Sequence, residues 1–410
     1  MKDLALYRDL AAMEPMFPEG DIAKLEELAT SVIYEAKKLE GNLHPFTRNA
    51  IVELLRPMNS YYSNLIEGHD TNPLDIEKAL NNKYSTNKEK RNLQIEAHAH
   101  IKSHEYITDL FRTEHVNPFT ENFIKKIHFE FYKNLPSEFL STKSLDDVER
   151  KVIPGKYRTS EVVVGKHIAP ASDRLDDFMG KFESYYSKNL SNKNNVKRII
   201  GIAAAHHRLT WIHPFLDGNG RVVRLFSDAC FMYEDLHSNG LWSISRGLAR
   251  SSDQYKHLLA NADLHRYNDD DGRGNLSNKY FIEFIEYFLS TALDQLLFMN
   301  KVLELESMYK RIEGFCDLFS SHRIFRTESK YILLDLFAKG KLSKMDAMRI
   351  TNLSDKTLKI VIDKLLEMNL LSIQKIGVLV YYFPKYPIKF SPYLFPGLFP
   401  ASTETQIIEN

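Results

Sequence analysis

After a helical pattern from Asn194 to Thr210, the chain runs His213-Pro-Phe-Leu-Asp217-Gly218-Asn219-Gly220-Arg221-Val-Val-Arg224. No other segment restricts the fold and its chemistry as strongly. Gly218 and Gly220 allow a tight turn whose N–H groups face an anion. The residues after this turn are helical, so the partial positive charge of a helix N-terminus falls at the same place. Arg221 and Arg224 are three apart, share a helix face and offer two guanidinium forks to phosphate oxygens. Asp217 is a hard oxygen ligand suited to Mg²⁺. His213, at the other end, can take up a proton near neutral pH. These are the parts of a nucleotide phosphate site with a base attached. A His-Pro-Phe or a Gly-Asn-Gly alone reads as an ordinary turn. Eight specified positions in one run have a chance expectation on the order of 10⁻⁸ for such a chain, from average composition.

The surrounding pattern is mainly α. Apolar residues recur at helical spacing from Asp21 to about Glu40, and a second helix is expected from Arg48 to about Ile66, stopped by Gly68. Further helices are expected over Lys88 to Arg112, after Thr120, over Asp173 to Tyr186, and as one long helix from Tyr280 to about Arg311. Between Val152 and Pro170, Val162-Val-Val164 is bounded by turn formers and reads as a short hairpin. Near the C-terminus the pattern predicts helices over Tyr331 to Phe337, Lys344 to Ile350 and Asp355 to Met368, then strands over Leu371 to Gln374 and Val378 to Phe383. That order resembles a winged helix-turn-helix. Prolines at 384, 387, 392, 396 and 400 argue against regular helix or central strand from Pro384 to Pro400.

Composition narrows the partners. Of the 410 residues, 54 are Lys or Arg and 54 Asp or Glu, so the whole molecule has no long-range attraction for nucleic acid or anionic lipid. A local exception is 323–385, with 12 basic against 6 acidic residues. Two cysteines, Cys230 and Cys316, build no disulfide framework and no C-x-x-C site. The N-terminus carries charges through what would be the apolar part of a signal peptide. The longest apolar stretches fall far short of the roughly 20 residues that span a bilayer. A soluble, cytoplasmic protein without membrane contact is the expectation.

The segment from His213 to Arg224 resembles the Fic-domain signature, His-x-Phe-x-(Asp/Glu)-Gly-Asn-Gly-Arg-x-x-Arg, at every position. The resemblance implies an all-helical Fic core with a small β-hairpin flap, and a nucleotidyltransferase that moves AMP from Mg-ATP to a Tyr, Thr or Ser hydroxyl of a target protein or of itself. Carried onto this chain, His213 deprotonates the hydroxyl and Asp217 holds Mg²⁺. Gly218, Asn219 and Gly220 hold the α-phosphate, and Arg221 and Arg224 engage the β- and γ-phosphates. Glu161 to His167, with Val164, Gly165, Lys166 and His167 at its tip, is similar to the family's flap, which covers the nucleotide and docks the target's backbone. Tyr255 stands where relatives contact adenine, though the usual Tyr-Tyr pair reads Tyr255-Lys256 here. Ser63-Asn-Leu-Ile-Glu67-Gly68 matches the family's inhibitory signature. Ser63 and Glu67, one helical turn apart, can face one cleft, and the resemblance implies that Glu67 pairs with Arg224. In some relatives the same glutamate supports removal of AMP. Homodimerisation is also a family expectation.

The expected organisation is an N-terminal helical region with the inhibitory motif (1–85), a Fic domain (86–300), a linker helix (301–322), a winged helix-turn-helix (323–385) and a proline-rich tail (386–410). His98, His100 and His104, with His206 and His207, find no Cys or carboxylate at zinc-like spacing and are assigned structural or surface roles. The alternative function is a DNA-binding regulator that uses 323–385, with its Fic domain as a nucleotide sensor.

Overall fold

The structure, a computed structural model, describes residues 6–41, 43–143 and 148–409. It is mostly helical. Helices α1 (Ala23–Gly41), α2 (Pro45–Ile66), α3 (Pro73–Leu80), α4 (Lys88–Thr113) and α5 (Glu121–Tyr132) come first. Two short antiparallel pairs come next, β1 (Ser141–Lys143) with β2 (Glu149–Lys151), and β3 (Val163–Val164) with β4 (His167–Ile168). Then come α6 (Leu175–Leu190), α7 (Asn195–Ile212), α8 (Asn219–Tyr233), α9 (Ile244–Arg250), α10 (Ser252–Ala262) and α11 (Asn278–Val302). The hairpin expected between Val152 and Pro170 is β3–β4.

The core is organised around α7. Every residue from Ile199 to Leu209 is buried, and a helix apolar or occupied on all sides belongs in an interior. It packs against α1, α6, α8 and α11. The three consecutive alanines, Ala203 to Ala205, let those neighbours approach. Arg208 is buried with them because its guanidinium donates twice to Pro15 O (3.0 and 2.7 Å) and lies over the Phe281 ring.

One expected element divides. The helix predicted from Tyr280 to Arg311 is two, α11 and α12 (Leu305–Ser321), because Glu304 adopts extended backbone and caps α12. No Gly or Pro marks the break, so periodicity alone runs through it.

Beyond α12 lie α13 (Ser329–Lys339), β5 (Leu342–Ser343), α14 (Lys344–Thr351), α15 (Asp355–Glu367), β6 (Leu371–Ile376) and β7 (Leu379–Pro384). The strands form one antiparallel sheet in the order β5-β7-β6. Leu358, Val361, Ile362 and Leu365 of α15 are buried, as their spacing predicts. This region is tied to the start of α2: Thr47 Oγ1 donates to Phe337 O (2.8 Å) and Phe46 meets Phe383 edge-on.

Against the expectation that the prolines keep Pro384 to Pro400 free of regular helix, the segment holds a short helix, because Pro392 sits in its first turn where no N–H is needed. That helix is α16 (Ser391–Leu394), and α17 (Ala401–Glu409) follows it. Between them the chain folds against α2 and α9. Tyr62 Oη donates to Leu398 O (2.9 Å), and Arg246 donates to Gly397 O and Leu398 O. Leu398 is fully buried and Phe399 nearly so. Among the described residues no helix is long and apolar enough to cross a membrane. Leu398→Ala removes the apolar backing of α2 and is expected to lower global stability by about 2–5 kcal/mol, read from urea unfolding of the full chain. A loss under about 0.5 kcal/mol, the range of ordinary surface changes, would contradict this packing.

Candidate functional site

The loop between α7 and α8 is fixed at both ends by left-handed backbone. His213 ends α7 at φ 50° and ψ 58°, its N–H still donating to Leu209 O. Gly218 starts α8 at φ 79°, and a Cβ there would lie 2.7 Å from the Tyr132 ring. Both the dihedral and the close ring demand glycine. Gly220 has a different reason: its Cβ would lie 2.2 Å from Glu67 Oε1, so the carboxylate rests directly on the helix start.

The loop is braced from within and from behind. Asn219 Oδ1 accepts from Phe215 N–H (2.9 Å), and its Nδ2 donates to Phe215 O (2.8 Å). The side chain expected to reach a phosphate is therefore committed to the loop's own backbone, leaving the main-chain N–H for an anion. His128 stacks on Phe215 with centroids 4.0 Å apart. Gly155 N–H donates to His128 Nδ1, so Nε2 carries the proton and donates to Asp217 O. Tyr132 Oη donates to Asp217 Oδ2 (2.6 Å). Burial alone would raise the Asp217 pKa, but Arg221, Tyr132 and the Gly218 amide hold it below the usual carboxylate range. Asp217 is therefore ionised, with its side chain 45% exposed and able to meet a cation.

At the other end Arg158 is buried and donates to His213 O (2.9 Å), Ser160 O and Pro170 O. It ties the base position to the hairpin. Burial, with His167 and Arg158 nearby, pushes the His213 pKa down to about 4. The imidazole is therefore neutral at pH 7.

The two arginines of α8 are 5% and 1% exposed, and each has its own carboxylate. Arg224 donates to Ser63 Oγ (3.0 Å), Ser63 O (2.9 Å) and Glu67 Oε1 (2.7 Å). Ser63 and Glu67 thus meet Arg224 from α2, which ends at Glu67, with Gly68 at φ 86°. Burial alone would raise the Glu67 pKa, but Arg224 and Arg221 hold it lowered. Arg221 pairs with Glu96 Oε1 of α4 at 2.8 Å and with Asp217 at 3.5 Å, and lies over the Phe131 ring. Glu96 in turn meets His69 at 2.7 Å.

Two expected nucleotide contacts stand elsewhere. His167 turns into the body, with Nε2 donating to Trp211 O (2.8 Å) and Nδ1 3.2 Å from Asp263. Tyr255 is 3% exposed, its hydroxyl bonded to His206 Nε2 (2.8 Å), so its ring face is buried among core residues. Val164, Gly165 and Lys166 do remain at the exposed tip. Sequence reading missed His69, Glu96, His128, Tyr132 and Arg158, since each joins the site only through tertiary packing, His69 by way of Glu96.

His69 sits just past the glutamate that holds Arg224. Its hydrogen bond to Glu96 is the main cause of a raised pKa, so the stability it contributes is full below about pH 6.5, the unfolded value, and is lost as pH rises through the folded value. Wild type should therefore lose more stability between pH 6 and pH 8.5 than His69→Ala, measured by urea midpoints. Parallel midpoints would refute the linkage.

Residues 118–230 match the Fic/DOC family. The protein adenylyltransferase Fic of Nematostella vectensis is 34% identical over 104 residues, covering 23% of this chain and 24% of that protein. The protein of the same name from Aedes aegypti is 36% identical over 104 residues, 23% of this chain and 20% of the relative. The alignments thus span about a quarter or less of these relatives' length. Among solved structures, a Fic family protein from Desulfovibrio desulfuricans superposes with a TM-score of 0.53 at 16% identity, over 90% of this chain and 99% of that one. A Fic-domain-containing signaling protein from Bacteroides thetaiotaomicron gives 0.51 at 19% identity, over 67% and 96%. These likenesses show the fold.

Proposed function

We propose that this chain, which carries a Fic/DOC family domain over residues 118–230, is a protein adenylyltransferase that moves AMP from ATP to a protein hydroxyl and is restrained by its own Glu67. The observation that carries the reading is the loop itself: a neutral His213, an ionised Asp217 and two buried guanidiniums stand within one helix-loop-helix, with a carboxylate already on Arg224.

The hydroxyl oxygen attacks the α-phosphorus, the bond from that phosphorus to the bridging oxygen breaks, and pyrophosphate leaves. His213 takes the hydroxyl proton. With its pKa near 4 it is a weak base, and the negative charge of an arriving triphosphate raises it toward neutrality. The amides of Gly218 to Gly220 and the start of α8 receive the α-phosphate charge. Arg221 and Arg224 take the outer phosphates. One ionised carboxylate with exposed surface fits Mg²⁺, which is held by one or two carboxylates plus phosphate oxygens; Asp217 would hold it, and it would neutralise phosphate charge. The exposed edge at Val164 gives a target backbone a strand to pair with.

Restraint comes from occupancy. While Glu67 holds Arg224, an outer phosphate must displace a carboxylate to reach the guanidinium. Glu67→Gly is expected to raise self-modification about 5–150-fold, the range of a 1–3 kcal/mol coupling, read by mass spectrometry as adducts of about 329 Da per hydroxyl after incubation with Mg-ATP. Unchanged yield would remove the restraint from the proposal. An enzyme that strips AMP would lose turnover in the same variant. His213→Ala is expected to lower transfer at least about 100-fold with ATP binding retained, measured by calorimetry; undiminished transfer would remove His213 from the base role.

The DNA-binding alternative is less well supported. We read 323–385 as the winged helix. Arg326, Lys330, Lys339, Lys344, Arg349 and Lys364 are paired with acidic neighbours, while Lys356 and Lys359 of α15 and Lys375 of β6 stay exposed, so the positive surface for phosphates is reduced but not removed.

A further inference from the structure

Behind the anion site, His104 of α4, Asp228 of α8 and His237, just past α8, converge in the core. They are 6%, 3% and 5% exposed, and one ligand atom from each lies within 4.8 Å of the others. Their polar atoms are not explained by hydrogen bonding. Both ring nitrogens of His104, Nε2 of His237 and Oδ1 of Asp228 are buried without a partner. The approach of His104 Nε2 to Asp228 Oδ2, 3.9 Å, is too long for a hydrogen bond. The Asp228 carboxylate has a long contact from Ser243 Oγ to Oδ2, at 3.3 Å, and a backbone N–H contact from Ile244. Interiors rarely leave so many polar atoms unmatched in one place.

We propose that His104, Asp228 and His237 bind a divalent cation of the zinc class, a structural site separate from the Mg²⁺ expected at Asp217. Two imidazoles and one carboxylate are a donor set such ions take, with a fourth position left for water or for Ser243 Oγ. Tetrahedral ligands bonded at about 2.0–2.1 Å stand about 3.3 Å apart. Closing the site from its present spread therefore takes side-chain movements of up to about 0.9 Å each. The three residues come from α4, α8 and the turn after α8, so the ion would pin the arginine-bearing helix to its neighbours. Asp228 stands one turn beyond Arg224. The histidines near residue 100 find no carboxylate at zinc spacing along the chain; the fold supplies one from α8.

The test uses the full chain expressed without a polyhistidine tag. Elemental analysis of the purified protein should find about one equivalent of a zinc-class metal. Chelator-treated protein titrated with Co²⁺ should develop visible d–d bands that saturate at about one equivalent and raise the melting temperature. His104→Gln and His237→Gln should each lose the bands, with folding of both checked by circular dichroism. A water-bridged cluster predicts neither stoichiometric metal nor bands in wild type, a result that overturns the proposal without any variant. Bands that persist in both folded variants would put the cobalt elsewhere and overturn it too.

Discussion

Taking a guanidinium out of water carries a penalty of several kcal/mol unless charge and hydrogen bonds are returned to it, and α8 buries two of them one turn apart. Much of the architecture around the loop answers that requirement. Arg224 is met by a hydroxyl, a carbonyl and a carboxylate from one end of α2. Arg221 is met by Glu96 from α4 and by an aromatic face from α5. The helices that cross α8 are thus also the ones that neutralise it. The same arginines are the groups an outer phosphate would need. A structure that satisfies them with its own carboxylates is stable without ligand and, under the proposed function, quiet for the same reason.

The loop from His213 to Arg224 was legible because its demands are local: left-handed backbone at Gly218, a carboxylate beside it and two arginines on the next helix turn. The pairing of Glu67 with Arg224 was an expectation of the family resemblance alone; helix spacing said only that Ser63 and Glu67 can face one cleft. Glu96 was not legible. It lies in a polar stretch of α4, and only the crossing of α4 over α8 gives it a partner. His128 and Tyr132 are buried on α5, and nothing in their local sequence sets them apart from its core residues. Asn219 belongs to the motif, yet its side chain closes the loop upon Phe215 instead of facing outward. His167 and Tyr255 each have polar partners in the body that no neighbouring residue announces. The break at Glu304 shows the limit of periodicity, because two helices meeting without Gly or Pro leave an uninterrupted apolar pattern.

Helix α2 has contacts at both of its ends with parts of the chain far removed in sequence. Its first turn is bonded to α13 and packs on β7, its middle is backed by Leu398 and Phe399, and its last residue holds Arg224. The proline-rich segment after β7 is ordered for this reason. Its fixed φ angles suit a chain that turns repeatedly over a surface, and its aromatic and leucine side chains find that surface on α2.

The answering groups on Arg224 carry a consequence for what counts as a unit in this protein. Residues 118–230 contain the glycine loop and both arginines, but Ser63, Glu67 and Glu96 all lie outside them. Excised at those boundaries, the segment would keep every residue of its signature and lose the charges that let α8 be buried. The matched stretch is therefore smaller than the stretch that neutralises the buried arginines of α8. Under the proposed function, restraint is not an accessory fastened to a finished domain, for Ser63 and Glu67 are also part of what neutralises the buried Arg224.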